Sequence, residues 1–215
     1  VEAYAGRGEI LSHPDTVKGL AAKRNWILRR FEREDAVVML DDDLTGLARL
    51  SEPPRSKLGK IVDPALIEEI IANDARLAAE CGCFLFGWQA ADHPEYYSGH
   101  KPIALTGFVN GCAIGFRRGH GLSFDERIVA KEDFDISAAN AYRNRKCFRD
   151  LRYAFCRAPA LAGGQYTIRR TWQEKTAVEE LKRKWGEVIA ERPGAEKRKE
   201  AYYIGPQKID LRLPF

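Results

Sequence analysis

A three-layer α/β domain with a mostly parallel sheet is the fold class that this 215-residue sequence predicts. Three observations carry it. Apolar runs of strand length alternate with segments of helical periodicity over the first two thirds of the chain. Ala36–Leu40 (AVVML) holds no polar residue, as expected of a strand buried on both faces. That run stops abruptly at Asp41, Asp42 and Asp43, which puts three acids at the strand edge where such sheets bind ligands.

In chain order, Gly8–His13 predicts a short strand. Asp15 or Thr16 then caps a helix to about Phe31, with Val17, Leu20, Ala21, Ile27, Leu28 and Phe31 as its apolar stripe. Arg24 falls on that stripe. Asp63 and Pro64 form the cap and first turn of a helix to about Cys81, and Cys83–Trp88 reads as the next strand. Polar Asp92–Pro102 predicts a mobile loop. IALTGFV and CAIGFRR read as strands joined into a hairpin at Asn110-Gly111. A helix is expected from about Glu132 to Arg145, then a half-buried strand over LRYAFC. After a loop at Gly163-Gly164, a helix over Trp172–Glu191 turns Val178, Leu181, Trp185 and Val188 inward. The tail from Arg192 to Phe215, with three prolines, reads as irregular. The expected organisation is one domain over 1–190 and a basic extension over 191–215, packed on it or extending from it.

Hydrophobic residues make up 45% and charged residues 31%, which supports a substantial core and excludes a disordered or collagenous chain. No apolar run approaches the ~18 residues of a membrane span, and the N-terminus lacks a secretory pattern, so a cytoplasmic protein is expected. Five cysteines, an odd number, read as buried thiols in a reducing compartment. The net charge of +4 is unevenly spread: residues 1–139 carry 17 basic against 22 acidic residues, and 140–215 carry 18 against 9. A basic end of that size attracts a polyanion by counterion release, although a solvated helical face gives the same count.

Three adjacent carboxylates oppose one another's ionisation unless a positive charge neutralises them. Mn²⁺ or Mg²⁺, which bind one or two protein carboxylates together with substrate phosphates, would do so; an isolated triplet reads as an acidic strand-to-loop turn, but placed after AVVML in an α/β chain it favours metal and diphosphate. Arg24, beside Asn25, either meets an anion near the sheet edge or forms a structural salt bridge. Glu132 and Asp133 suit a helix start through the dipole, and the same carboxylates can accept a proton from a hydroxyl nucleophile if they face the pocket. Asp125 and Glu126 compete for that role. Gly107, Gly111 and Gly115 allow close backbone approach or mark a turn. His100 and His120 read as loop residues.

The succession GLAAKRNWIL, VVMLDDDL, NGCAIGFRRG and FDERIVAKEDFD, followed by a Gly-Gly loop and a KWG helix, resembles a GT-A-type glycosyltransferase. More narrowly, the RNW helix leading to LDDDL, with GGQYTIRRT, is similar to the TET-associated glycosyltransferases of bacteriophages, over about residues 1–190. The resemblance implies a Rossmann-like three-layer sandwich, and transfer of a sugar from a nucleotide-sugar, a UDP-sugar for choice, to 5-hydroxymethylcytosine or another 5-hydroxymethylpyrimidine in phage DNA. The host cytoplasm is the location it implies. Carried onto this sequence, Asp41 would contact the nucleotide ribose, Asp43 with Asp41 the cation, and Asp42 would fill the middle position. Arg24, Asn25 and Gly111 would line the donor, and Asp133, with Glu132 beside it, would be the general base. Arg143, Arg145, Lys146, Arg149, Arg169 and Arg170 would track DNA phosphates. No histidine follows His120, so the late metal histidine of many GT-A enzymes would be replaced by water, phosphate or another side chain. The usual first strand, which helps hold the base, is not read here; either the sequence is part of a longer chain or base recognition is built differently. The alternatives are a glycosyltransferase acting on a glycan or protein hydroxyl, a nucleotidyltransferase using the same acids, and a catalytically inactive DNA-binding relative.

Overall fold

Helices cover both faces of a five-stranded sheet, and the direction of its strands departs from the sequence reading. The computed structural model describes residues 9–51, 59–158, 171–191 and 209–212. The sheet runs in the order β1 (Ala36–Leu40), β6 (Ala113–Arg117), β4 (Leu85–Trp88), β7 (Phe148–Asp150) and β5 (Ile103–Ala104). Only β4 and β7 pair in parallel; β1–β6, β4–β6 and β5–β7 are antiparallel. The expectation of a mostly parallel sheet is therefore corrected to a mixed one. Nor is β1 buried on both faces in the middle of the sheet: it is an edge strand in which only Met39 is buried, so the apolar run signals neither position nor direction.

The predicted hairpin is also absent: β5 and β6 pair with other strands. The Asn110-Gly111 turn instead launches β6 into the centre of the sheet. Asn110 caps that turn, its Oδ1 accepting from the Cys112 amide at 3.1 Å. A second sheet, β3 (Lys60–Ile61), β2 (Leu44–Arg49) and β8 (Tyr153–Arg157), is antiparallel and begins three residues after β1 ends. Sequence reading places neither β2 nor β7, because Thr45, Gly46 and Arg49 break up the apolar pattern of β2 and β7 is only three residues long.

Side chains alternate across the central sheet and sort the layers. Val37, Met39, Leu85, Ile114 and Phe116 pack with Ala21 and Leu28 of α1 (Leu20–Arg30) and Ile136 of α3 (Glu132–Asn144). Val38, Phe86, Trp88 and Phe148 pack on the other face against Ile67, Ile70 and Ala78 of α2 (Pro64–Glu80), together with Leu47 and Phe155 of the second sheet. Phe86, Phe116 and Phe148 are fully buried, each contributing roughly 1.5–3 kcal/mol by leaving water. Gly115 makes room for this: a Cβ there would sit 2.2 Å from the Phe86 ring.

Local signals set the helix ends with mixed success. The Asp63 carboxylate accepts from the Ala65 amide at 3.0 Å and Pro64 occupies the first turn, a cap worth about 1 kcal/mol. Helix α1, however, starts at Leu20 and not at Thr16, because Gly19 holds a left-handed φ of 88° that interrupts the helical path. Residues 9–13 form no strand. The last helix, α4, spans Thr171–Trp185 and not Trp172–Glu191; a 3₁₀ turn leads into β9 (Ile189–Glu191), which pairs with β10 (Ile209–Leu211). The tail therefore includes a strand, and Ile209 packs with Ile128, Val178, Leu181 and Ile189. The predicted Gly163-Gly164 loop lies outside the described residues. No helix among the described residues is long and apolar enough to cross a membrane.

Candidate active site

The C-terminal ends of β1, β4 and β8 and the N-terminal end of β6 meet at one edge of the molecule. There the ladder extends one residue past β1, the Asp41 amide donating to the Cys112 carbonyl at 2.9 Å. Asp41 is half-buried, while Asp42 and Asp43 are exposed. The Asp43 carbonyl accepts from the Ala158 amide at 2.8 Å and ties the acidic turn to the end of β8.

Arg24 organises the inner wall. It is 4% exposed, so its charge must be met by protein groups. Its Nη1 donates to Glu132 Oε1 at 3.0 Å, and its Nη2 donates to the Gly111 carbonyl at 2.8 Å and to Asp41 Oδ1 at 3.5 Å. The guanidinium also lies over the Phe124 ring. One cation from α1 thus links the acidic turn, the Gly111 turn and the first turn of α3. Gly111 gives this arrangement room, since a Cβ would come within 2.8 Å of Arg24 Nη1 and 3.1 Å of the Asp133 Cβ.

Asp133 faces the same turn. Its Oδ2 accepts from the Gly111 amide at 3.2 Å and its Oδ1 from the Phe134 amide at 3.0 Å. Burial pushes its pKa above the ordinary carboxylate value, against the pull of the Gly111 amide, Arg24, the Phe134 amide and Lys131. Asp41 is raised as well, by burial first; Arg24 and Arg157 pull it down, and Asp43 and Glu132 push it further up. Two carboxyls whose burial raises their pKa therefore stand at the same sheet edge.

Asn25 is placed differently from its neighbour. Its amide bridges the backbone of Phe124, donating to the carbonyl at 2.9 Å and accepting from the amide at 2.8 Å, and it donates to Glu126 Oε1 at 3.0 Å. It clamps the segment before α3, and its hydrogen bonds do not reach Asp41. The proposed DNA-facing cations also separate. Arg143, Arg145 and Lys146 are exposed at the end of α3, where Lys146 Nζ donates to the Cys81 carbonyl. Arg149 is half-buried beneath Thr106, whose carbonyl lies 3.5 Å from its Nη1, and burial lowers its pKa. Arg169 and Arg170 lie outside the described residues. Of the two loop histidines, His100 is exposed, whereas His120 is half-buried, its Nδ1 accepting from the Leu122 amide at 2.9 Å.

Sequence reasoning missed Arg157, the last residue of β8. Its Nη2 lies 3.3 Å from Asp41 Oδ2 with the side chain 48% exposed. Beside it a cavity of about 170 Å³ is lined by Ala90, Asp92, Asn110, Cys112, Phe155 and Arg157. The signal was available: a charged residue ending a strand of an α/β chain is as notable at Arg157 as at Asp41. A larger cavity of about 250 Å³, with Arg29, Glu32, Arg118 and His120 among its lining, sits at the opposite end of β1 and touches none of the acids.

Among the described residues, no three His, Cys, Asp or Glu side chains gather as a metal shell. The exposed Asp43 beside Asp41 fits a hard cation shared with a phosphate ligand and water, and does not amount to a cage built by protein alone. Compared with family models, curated proteins and solved structures, the chain shows no match.

Proposed function

We propose that this chain is a metal-dependent glycosyltransferase that moves a sugar from a nucleotide-sugar, a UDP-sugar for choice, to the hydroxymethyl group of 5-hydroxymethylcytosine or another 5-hydroxymethylpyrimidine in DNA. The observation that carries this reading is the convergence, through Arg24, of Asp41 and the Glu132–Asp133 pair around the Gly111 turn, next to a strand-edge cavity. A cation held by Asp43 and Asp41 would supply charge stabilisation to the departing diphosphate. Asp133, raised in basicity and oriented by two backbone amides, takes the proton of the acceptor hydroxyl as its oxygen bonds to the anomeric carbon and the bond to the diphosphate oxygen breaks. Glu132 neutralises Arg24 behind it and keeps the Gly111 turn in place. Arg143, Arg145 and Lys146 offer phosphate contacts on the acceptor side, with Arg169 and Arg170 assigned there from sequence only.

A second reading, transfer to a glycan or protein hydroxyl, is favoured by one observation: Arg149 is withdrawn beneath Thr106 and adds nothing to an exposed basic track. Labelled nucleotide-sugars offered with Mn²⁺ or Mg²⁺ to hydroxymethylated DNA, unmodified DNA and glycan acceptors separate the two, with product mass as the readout. A sugar increment on the hydroxymethylated nucleoside is the expected result, and transfer of a nucleotide would turn the assignment to a nucleotidyltransferase. Asp43→Ala should lower turnover by at least a hundredfold with the thermal melting profile unchanged; full activity in that variant overturns the metal role.

A further inference from the structure

Arg157 stands where an anionic ligand would enter, and it is only partly engaged there, by Asp41 and by the Cys112 thiol beside it. One Nη2 atom reaches one oxygen of Asp41 at 3.3 Å, and the guanidinium is about half exposed on the wall of the 170 Å³ cavity. Its backbone is held, because the next residue's amide bonds to the Asp43 carbonyl at 2.8 Å, so the side chain can swing about a fixed root beside the acids. Arg24 already covers the other Asp41 oxygen from a buried position. Asp41 is therefore served by one permanent cation and one replaceable cation.

We infer that Arg157 is the diphosphate receptor of this site: it rests on Asp41 in the free protein and turns to the phosphate groups of a nucleoside diphosphate seated against Asn110 and Cys112, releasing Asp41 Oδ2. This rests on the nucleotide-sugar reading above. A planar guanidinium binds phosphate oxygens in a two-pronged, charge-assisted way that one long contact to a carboxylate oxygen and one to a thiol do not match. The cavity is smaller than the roughly 300–1,000 Å³ of complete ligand pockets, which suits phosphate groups with the remainder of the ligand outside.

Calorimetric titration of UDP, inorganic pyrophosphate and Mn²⁺ into the unaltered protein, Arg157→Gln and Arg157→Lys tests the assignment. Arg76→Gln, on the exposed face of α2, serves as the control. Arg157→Gln should bind UDP and pyrophosphate at least tenfold more weakly, with Arg157→Lys between it and the unaltered protein. The same Gln variant should bind Mn²⁺ alone more tightly, by severalfold, because Asp41 loses a competing cation. Opposite signs for the two ligands cannot come from general damage to the fold. Equal diphosphate affinity in the Gln variant, or no diphosphate binding by the unaltered protein, overturns the role of Arg157. Glycosyl transfer measured in parallel keeps the two conclusions apart: diphosphate binding that needs Arg157 without sugar transfer leaves this assignment standing and removes the glycosyltransferase reading, and sugar transfer with an indifferent Arg157 does the reverse.

Discussion

Two acidic clusters in this protein use the same groups to different ends. In the core, Asp74 of α2 and Asp150 of β7 are both fully buried. Arg152 grips Asp150 with Nε at 3.0 Å and Nη2 at 2.6 Å, and Trp88 Nε1 donates to Asp74 at 2.6 Å. At the β1 edge, Arg24 and Arg157 reach Asp41 at 3.5 and 3.3 Å, beside exposed Asp42 and Asp43. Short contacts hold the fully buried acids, Trp88 tying Asp74 of α2 to the sheet, whereas long contacts beside a cavity leave the half-buried Asp41 open to a ligand. Burial of acid is thus no mark of function by itself; what separates the clusters is whether the partner cation can be replaced.

The largest effect should come from Arg24, which belongs to both worlds: it is buried like the core cluster and placed at the site. Arg24→Ala removes the buried cation that joins Glu132, the Gly111 carbonyl and Asp41, and a loss of about 3–5 kcal/mol in denaturant unfolding is expected. A loss below about 1 kcal/mol would show that the inner wall is not structural.

The core pair gives the next effect, read as a pH dependence. Asp74 is pushed up to about 7, by burial first and by Asp150 next. A carboxyl whose pKa is higher folded than unfolded holds more protons in the native state between the two values, so stability falls as pH rises from about 4 to about 7 and levels off above. Asp74→Asn, which keeps the Trp88 bond and carries no charge, should flatten that decline by a few kcal/mol across the window. Unfolding curves that keep the same pH slope in the variant would place the proton elsewhere.

The smallest effect concerns the exposed cations, which touch neither cluster. Arg143→Gln with Arg145→Gln should leave melting unchanged and weaken DNA binding modestly, while the slope of log affinity against log salt drops by about 2 in magnitude. An unaltered slope would remove these two arginines from the DNA surface.

The legible part of this molecule and the hidden part divide along a physical line. Asp63-Pro64 announced α2, the AVVML run announced β1, and the acids after it announced the end of that strand, since each rests on contacts within a few residues. Arg24 was readable as an oddity on an apolar stripe, but its two possible partners were not separable, and it turned out to hold a carboxylate on each side. Asn25, adjacent in sequence, went to the Phe124 backbone because a helix turns successive residues by about 100° and gives neighbours different surroundings.

The sequence by itself determined the helices α1 to α3 to within a few residues, the strands β1, β4 and β6, and that acid follows one strand end, because periodicity, caps and breakers act locally. Only the tertiary structure decided that β6 runs antiparallel between β1 and β4, and that Arg24 meets residues 17, 87 and 108 positions away while Arg157 reaches Asp41 across 116. Contacts at such separations depend on how strands are ordered and directed, and an apolar run looks the same from either direction.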